Sequence, residues 1–170
     1  ETSELPCMIY NIPGRTGVRV PPQVIRTIAG HRNFWSVKEA SGSIREYQQF
    51  RQEVPEVPLF SGDDGLLPYF AAAGCRGLIS VASNVWPEAT GRYVEICLNG
   101  DPKQLFPLWK RATEILFSAS NPIPAKSLLR EKGLIKTSVL RPPLTDRELD
   151  NLEELLNLDN EISNWLLTQK

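Results

Sequence analysis

The sequence predicts an α/β fold: half of an eight-stranded parallel α/β barrel, followed by an α-helical segment. Three observations lead to it. Through the first 100 residues, short apolar runs alternate with longer amphipathic ones, four times over. The short runs are apolar on both faces, as strands covered by helices must be. From Pro102 onward only helical periodicity remains.

The elements follow in order. Pro6-Cys7-Met8-Ile9-Tyr10 is a short apolar run that reads as a buried strand. A Pro/Gly-rich loop, Asn11 to Gly17, comes next. Pro22 suits the first turn of a helix, and Val24, Ile25, Ile28 and Ala29 give it an apolar stripe. Phe34-Trp35-Ser36-Val37-Lys38 is the second strand. Ser41-Gly42-Ser43 supplies a loop and an N-cap for a helix from Ile44 to Glu53. Pro58-Leu59-Phe60-Ser61 is the third strand, and Gly62-Asp63-Asp64 leads into a helix from Leu66 to Ala73. Gly77 to Ala82 is the fourth strand, with a helix from Pro87 to Leu98 behind it. Four such units imply parallel strands joined by right-handed crossovers. Beyond them, Pro102–Ala119, Ile123–Lys132, Thr145–Leu156 and Asp159–Leu167 read as helices, and Leu140 to Leu144 as an extended linker.

Composition narrows the function. Nineteen basic residues stand against 20 acidic ones, so no basic excess favours nucleic acid and no polybasic stretch favours a membrane surface. The apolar runs are far shorter than the roughly 18 residues of a membrane span. Cys7, Cys75 and Cys97 are widely spaced and His31 is the single histidine, so a zinc site lacks ligands. This cysteine usage fits a reduced, cytoplasmic protein. The chain begins Glu1-Thr2-Ser3, not with Met, and is expected to be a piece of a longer protein.

Polar residues at the carboxyl ends of barrel strands face the reaction centre. Tyr10, Lys38, the Ser61-Gly62-Asp63 run and the Ser80 to Asn84 run meet that description, with Arg15 in the first loop. Lys38 is the sharpest. A lysine in an apolar interior meets a desolvation penalty as a cation, which favours the neutral amine that attacks carbonyls. Taken singly, each residue also has a plainer reading: a strand-end lysine reaching water, a core tyrosine, a surface arginine, acids that cap a helix. Phe106, Trp109 and Phe117 read as helix packing, and His31 as a solvated loop residue.

The combination is more specific. Tyr10-Asn11-Ile12-Pro13-Gly14-Arg15-Thr16-Gly17 is followed by Lys38-Glu39-Ala40-Ser41-Gly42 and then by Ser61-Gly62-Asp63-Asp64. Gly77 to Asn84, Asn121-Pro122-Ile123-Pro124-Ala125-Lys126 and Leu140-Arg141-Pro142-Pro143-Leu144 complete the series. It resembles the dihydrodipicolinate synthase (4-hydroxy-tetrahydrodipicolinate synthase) family in order and spacing across the whole chain. The resemblance implies the C-terminal half of a (β/α)8 TIM barrel, with strands 5–8 in residues 1–100 and a C-terminal helical domain in residues 101–170. It implies a lyase of lysine biosynthesis that condenses pyruvate with aspartate semialdehyde without any cofactor. Lys38 would form the imine with pyruvate, Tyr10 would relay protons, and Arg15 would hold the carboxylate of the second substrate. Backbone groups at Gly62 and Ile79 would line the pyruvate pocket. The family is commonly a homotetramer. It also has four earlier strand–helix units with a double-threonine motif for the pyruvate carboxylate, so this chain alone is expected to be inactive and to need that half-barrel. Trp35 and Ser36 stand where the family more often has small or aliphatic residues.

Two other readings remain in view. One is a different pyruvate-dependent aldolase, acting on sialic acid or a keto-sugar acid. Arg15-Thr16-Gly17 tells against it, because those lyases do not typically have this run. The other is a non-catalytic half-barrel, against which the presence of both Lys38 and Tyr10 argues.

Overall fold

Three of the expected apolar runs form one parallel sheet: β1 (Cys7–Asn11), β2 (Phe34–Glu39) and β3 (Leu59–Ser61), in the order β1-β2-β3. The computed structural model describes residues 4–169. The register sets Tyr10 beside Lys38 and Asn11 beside Glu39, then Lys38 beside Phe60 and Glu39 beside Ser61. The chain divides into two units. One comprises the residues up to Ser80 together with Cys97–Asn99, and the other Val81–Ile96 together with the residues from Gly100 onward.

In the first unit, α1 (Pro13–Thr16) is a single turn, ended by Gly17 in the left-handed region at φ 68°. A glycine meets no Cβ penalty there. α2 (Pro22–Ile28) begins on proline and buries Ile25. α3 (Ile44–Glu53) has the expected limits, and the Ser43 hydroxyl accepts from the Glu46 amide at 3.2 Å. Such a cap contributes about 1 kcal/mol. A 3-10 turn, Asp64–Leu66, precedes α4 (Leu67–Ala72). Tyr47 of α3 stacks on Phe70 of α4, with centroids 4.2 Å apart. Together with Ile25, Val37, Phe50, Val54, Leu59 and Leu67 they form this unit's core.

The fourth strand differs from expectation. In place of Gly77–Ala82 there is one bridge, Ser61 to Leu78. The Ser61 amide donates to the Gly77 carbonyl and the Ile79 amide to the Ser61 carbonyl, both at 2.9 Å. β3 is three residues long and ends at Ser61, so it offers no further partners to a ladder. Val81 then turns to helical angles and Ala82–Asn84 forms a 3-10 turn.

The second unit is helical. α5 (Pro87–Asn99) lends its last three residues to the first unit. A 3-10 turn, Pro102–Leu105, leads into α6 (Phe106–Leu116), and α7 (Ile123–Glu131) follows. The two helices expected after Thr145 are instead a short 3-10 turn, Asp146–Glu148, and one continuous helix, α8 (Leu152–Leu167). Leu155, Leu158 and Ile162 explain the continuity. Their i, i+3, i+7 spacing makes one buried stripe across the supposed break. No helix among the described residues is long and apolar enough to cross a membrane.

Trp109 organises this unit. It is 1% exposed, stacks on Tyr93 at 4.0 Å between centroids, and meets Trp165 edge-on at 5.8 Å. Phe117, assigned to packing from sequence, is 43% exposed at the end of α6. Trp109→Ala is therefore expected to cost about 3–5 kcal/mol. Phe117→Ala should stay within about 0.5 kcal/mol. Urea denaturation of both variants checks this, and equal losses would contradict the assigned core.

Candidate active site

Parallel pairing brings the carboxyl ends of β1 and β2 together, and with them Tyr10 and Lys38. The Lys38 ammonium lies 3.9 Å from the centroid of the Tyr10 ring. The ring's electron-rich face attracts the cation. Among the described residues Lys38 Nζ makes no hydrogen bond or ion pair. In this chain Tyr10 is 45% exposed and Lys38 is half-buried.

Gly62 gives the lysine its path. A Cβ built there would lie 2.7 Å from Lys38 Cε and 2.6 Å from Ala40 Cβ. Neither distance is tolerable for carbon atoms, so only glycine lets the stem cross the end of β3. The Gly62 amide donates to the Glu39 carbonyl at 2.7 Å, and the Ile79 amide is likewise bound to Ser61. Both N–H groups are thus committed to the backbone. Arg15 is exposed on the single turn of α1 and has no ion pair among the described residues. Neither Arg15 nor Ile79 hydrogen-bonds to Tyr10 or Lys38.

Acids surround this arrangement. Glu39, fully buried, accepts from Asn11 Nδ2 at 2.6 Å and from the Ser41 amide at 2.8 Å. Burial pushes its carboxyl above the usual range, while the bonds from Asn11 and Ser41 oppose that rise. The Asp63 carboxyl is also raised by burial. The bond from the Gly42 amide opposes the rise, Asp64 adds to it and Lys38 counters it. Asp63 caps nothing with its side chain; it pins the loop after β2. Asp64 is buried and accepts from the Ser80 hydroxyl. Sequence reasoning passed over Asn11 and Glu39. A carboxylate closing an apolar strand run, next to the singled-out lysine, was the available signal. Among the described residues no group of three or more His, Cys, Asp or Glu side chains is placed to hold a metal ion.

Polar side chains gathered at the carboxyl ends of parallel strands joined through helices define a protein of the (β/α)-barrel class. The chain belongs to the dihydrodipicolinate synthetase family, whose model matches residues 1–161. It is 42% identical over 166 residues to the 4-hydroxy-tetrahydrodipicolinate synthase of Francisella tularensis subsp. novicida (strain U112). It is 41% identical over 165 residues to that of Wolbachia pipientis wMel. Each alignment covers 97% of this chain and 56% of the relative, so the chain spans little more than half the length of these curated relatives. The structure of the synthase from the methanotroph Methylacidiphilum fumariolicum SolV superposes with a TM-score of 0.87 at 32% identity, covering 98% of this chain and 58% of that one. The dihydrodipicolinate synthase of Aquifex aeolicus superposes at 0.85 and 29% identity, over 93% of this chain and 56% of that one. The fold class is accordingly the C-terminal half of a (β/α)8 barrel followed by helices.

Gly62→Ala is expected to force Lys38 or Ala40 aside, at a stability cost of about 1–3 kcal/mol for overpacking. Gly14→Ala, with nothing within 4 Å of the added carbon, is the control and should change stability by about 0.5 kcal/mol at most. Denaturant midpoints compare the two, and a neutral Gly62→Ala would contradict the close approach.

Proposed function

We propose that the protein to which this chain belongs is a Schiff-base-forming lyase that condenses pyruvate with aspartate semialdehyde to 4-hydroxy-tetrahydrodipicolinate, in lysine biosynthesis. The single observation behind this reading is the Lys38 amine against the Tyr10 ring at the carboxyl ends of paired strands. The family and its named relatives supply the substrates. The Lys38 ammonium first gives up a proton, its amine then adds to the pyruvate ketone, and water leaves to give the imine. Loss of a methyl proton gives an enamine, which attacks the aldehyde carbon. The amino group of the second substrate then adds to the imine carbon, closing the ring and expelling the Lys38 amine.

Tyr10 passes the protons that these steps move. Because Nζ lies over the ring face and not against the hydroxyl, the lysine stem must swing before the phenol can exchange a proton with it. Arg15, on the outer loop, offers a bidentate fork to the carboxylate of the second substrate. No cofactor enters, since the covalent partner is the protein's own amine. On this reading the segment preceding the chain completes the pyruvate pocket, and the chain by itself is inactive. Residues 1–100 and 101–170 are its barrel and helical parts, and the whole protein is a cytoplasmic homotetramer.

Borohydride reduction of the full-length protein with pyruvate is expected to add the mass of the reduced adduct to the peptide holding Lys38. Lys38→Ala should lose nearly all turnover while remaining folded. An adduct on Lys126 or another lysine would overturn the assignment. Arg15→Ala is expected to raise the KM for aspartate semialdehyde about 10–150-fold, for the loss of roughly 1.5–3 kcal/mol of charge-assisted hydrogen bonding. Its KM for pyruvate should change little, and equal effects on both substrates would count against this role.

A further inference from the structure

The geometry points to the buried Asn11–Glu39 pair as the positioning element that holds Tyr10 against Lys38 and closes the loop bearing Arg15. This inference rests on the Schiff-base reading of the site.

The two side chains are almost wholly buried, at 1% and 0% exposure, and every bond they make ends on a segment of the site. Asn11 Nδ2 donates to Glu39 Oε2 at 2.6 Å, joining the ends of β1 and β2. Glu39 Oε1 accepts from the Ser41 amide at 2.8 Å, fixing the start of the loop after β2. Asn11 Oδ1 accepts from the Val20 amide at 3.0 Å and closes the loop that contains Arg15. The Asn11 carbonyl takes the Ala40 amide at 2.9 Å. One amide and one carboxylate thereby tie four pieces of chain.

Their place in the strands gives the reason. Asn11 follows Tyr10, Glu39 follows Lys38, and the two are register partners. Successive strand residues point to opposite faces. The pair therefore lies on the face away from Tyr10 and Lys38 and acts on them through the backbone without touching substrate. Burying a carboxylate is costly, and hydrogen bonds to both oxygens offset that cost here. A hydrophobic residue would fill the same space with less penalty, yet could fix neither the register nor the loop.

The hydrogen bonds have a direction, and that gives a test. In Glu39→Gln, an amide faces an amide, and one of Asn11 Nδ2, the Ser41 amide or the Val20 amide must lose its acceptor. In Asn11→Asp, two carboxylates face each other. In the double variant Asn11→Asp/Glu39→Gln the polarity reverses and every bond is restored. The introduced glutamine amide then donates to the introduced aspartate, while the Ser41 and Val20 amides keep their acceptors. The full-length protein is assayed for three quantities: the rate of borohydride trapping at saturating pyruvate, the KM for each substrate, and the denaturation midpoint. Each single variant is expected to trap about 10–100-fold more slowly in its folded form, since small misplacements of reacting groups have such effects. Each should also raise the KM for the aldehyde substrate. The double variant should regain near wild-type trapping. Glu39→Asp keeps the charge but shortens its reach by one methylene, and it takes the place of Glu39→Gln should that variant not fold. Folded single variants that trap at the wild-type rate, whatever their stability, would overturn the inference, as would a double variant as slow as its parents. Failure of the wild-type protein to trap pyruvate would instead overturn the Schiff-base reading itself.

Discussion

The parallel register of β1 and β2 is the constraint on which the site depends. Side chains in a strand alternate between faces, so a slip of one residue would carry Lys38 to the opposite face and replace it with Val37 or Glu39. In the observed register Tyr10 meets Lys38 and Asn11 meets Glu39. The first contact is a cation over a ring and the second an amide against a carboxylate. The two contacts occupy opposite faces of the same strand pair, so each is possible only while the other is in register.

The site also requires close approach, and the sequence meets it with a missing side chain. Gly62 leaves room for the Lys38 stem and the Ala40 methyl where any Cβ would collide. A backbone amide at the same residue continues the pairing through Glu39. Around this point three acids are held by donors from neighbouring loops: Glu39 by Asn11 and Ser41, Asp63 by Gly42, and Asp64 by Ser80. Burial opposes the charge of Glu39 and Asp63, and their donors offset it. Asn11 closes the loop that bears Arg15, and Glu39 and Asp63 hold the turn before α3, so the strand ends and their loops form one hydrogen-bonded assembly.

The helical unit is built on different physics. Its centre is aromatic stacking, with Trp109 between Tyr93 and Trp165, closed by the Leu155, Leu158 and Ile162 stripe of α8. One polar contact sits beside this packing: the Trp86 indole and the Lys132 ammonium both donate to Asp159. Dispersion contacts of this kind are individually weak and collectively large, so the unit's stability rests on how completely the Trp109 ring is surrounded.

By itself the sequence determined the class of fold, the order of its units, and the positions of Lys38, Tyr10, Arg15 and Gly62 on strand ends and loops. Apolar run length and period state those things locally, and α3 and β2 follow the pattern almost to the residue. It did not determine the length of the fourth strand or the continuity of α8. A strand lasts only as long as its neighbour's ladder, and β3 ends at Ser61; a helix continues wherever a buried stripe rewards it. Nor did it determine the partners of Asn11 and Glu39. They are 28 residues apart and met as ordinary polar residues in a loop and a motif. Only the folded register puts an amide and a carboxylate face to face in a dry interior, where an unmet polar group is costly enough to decide how the backbone lies.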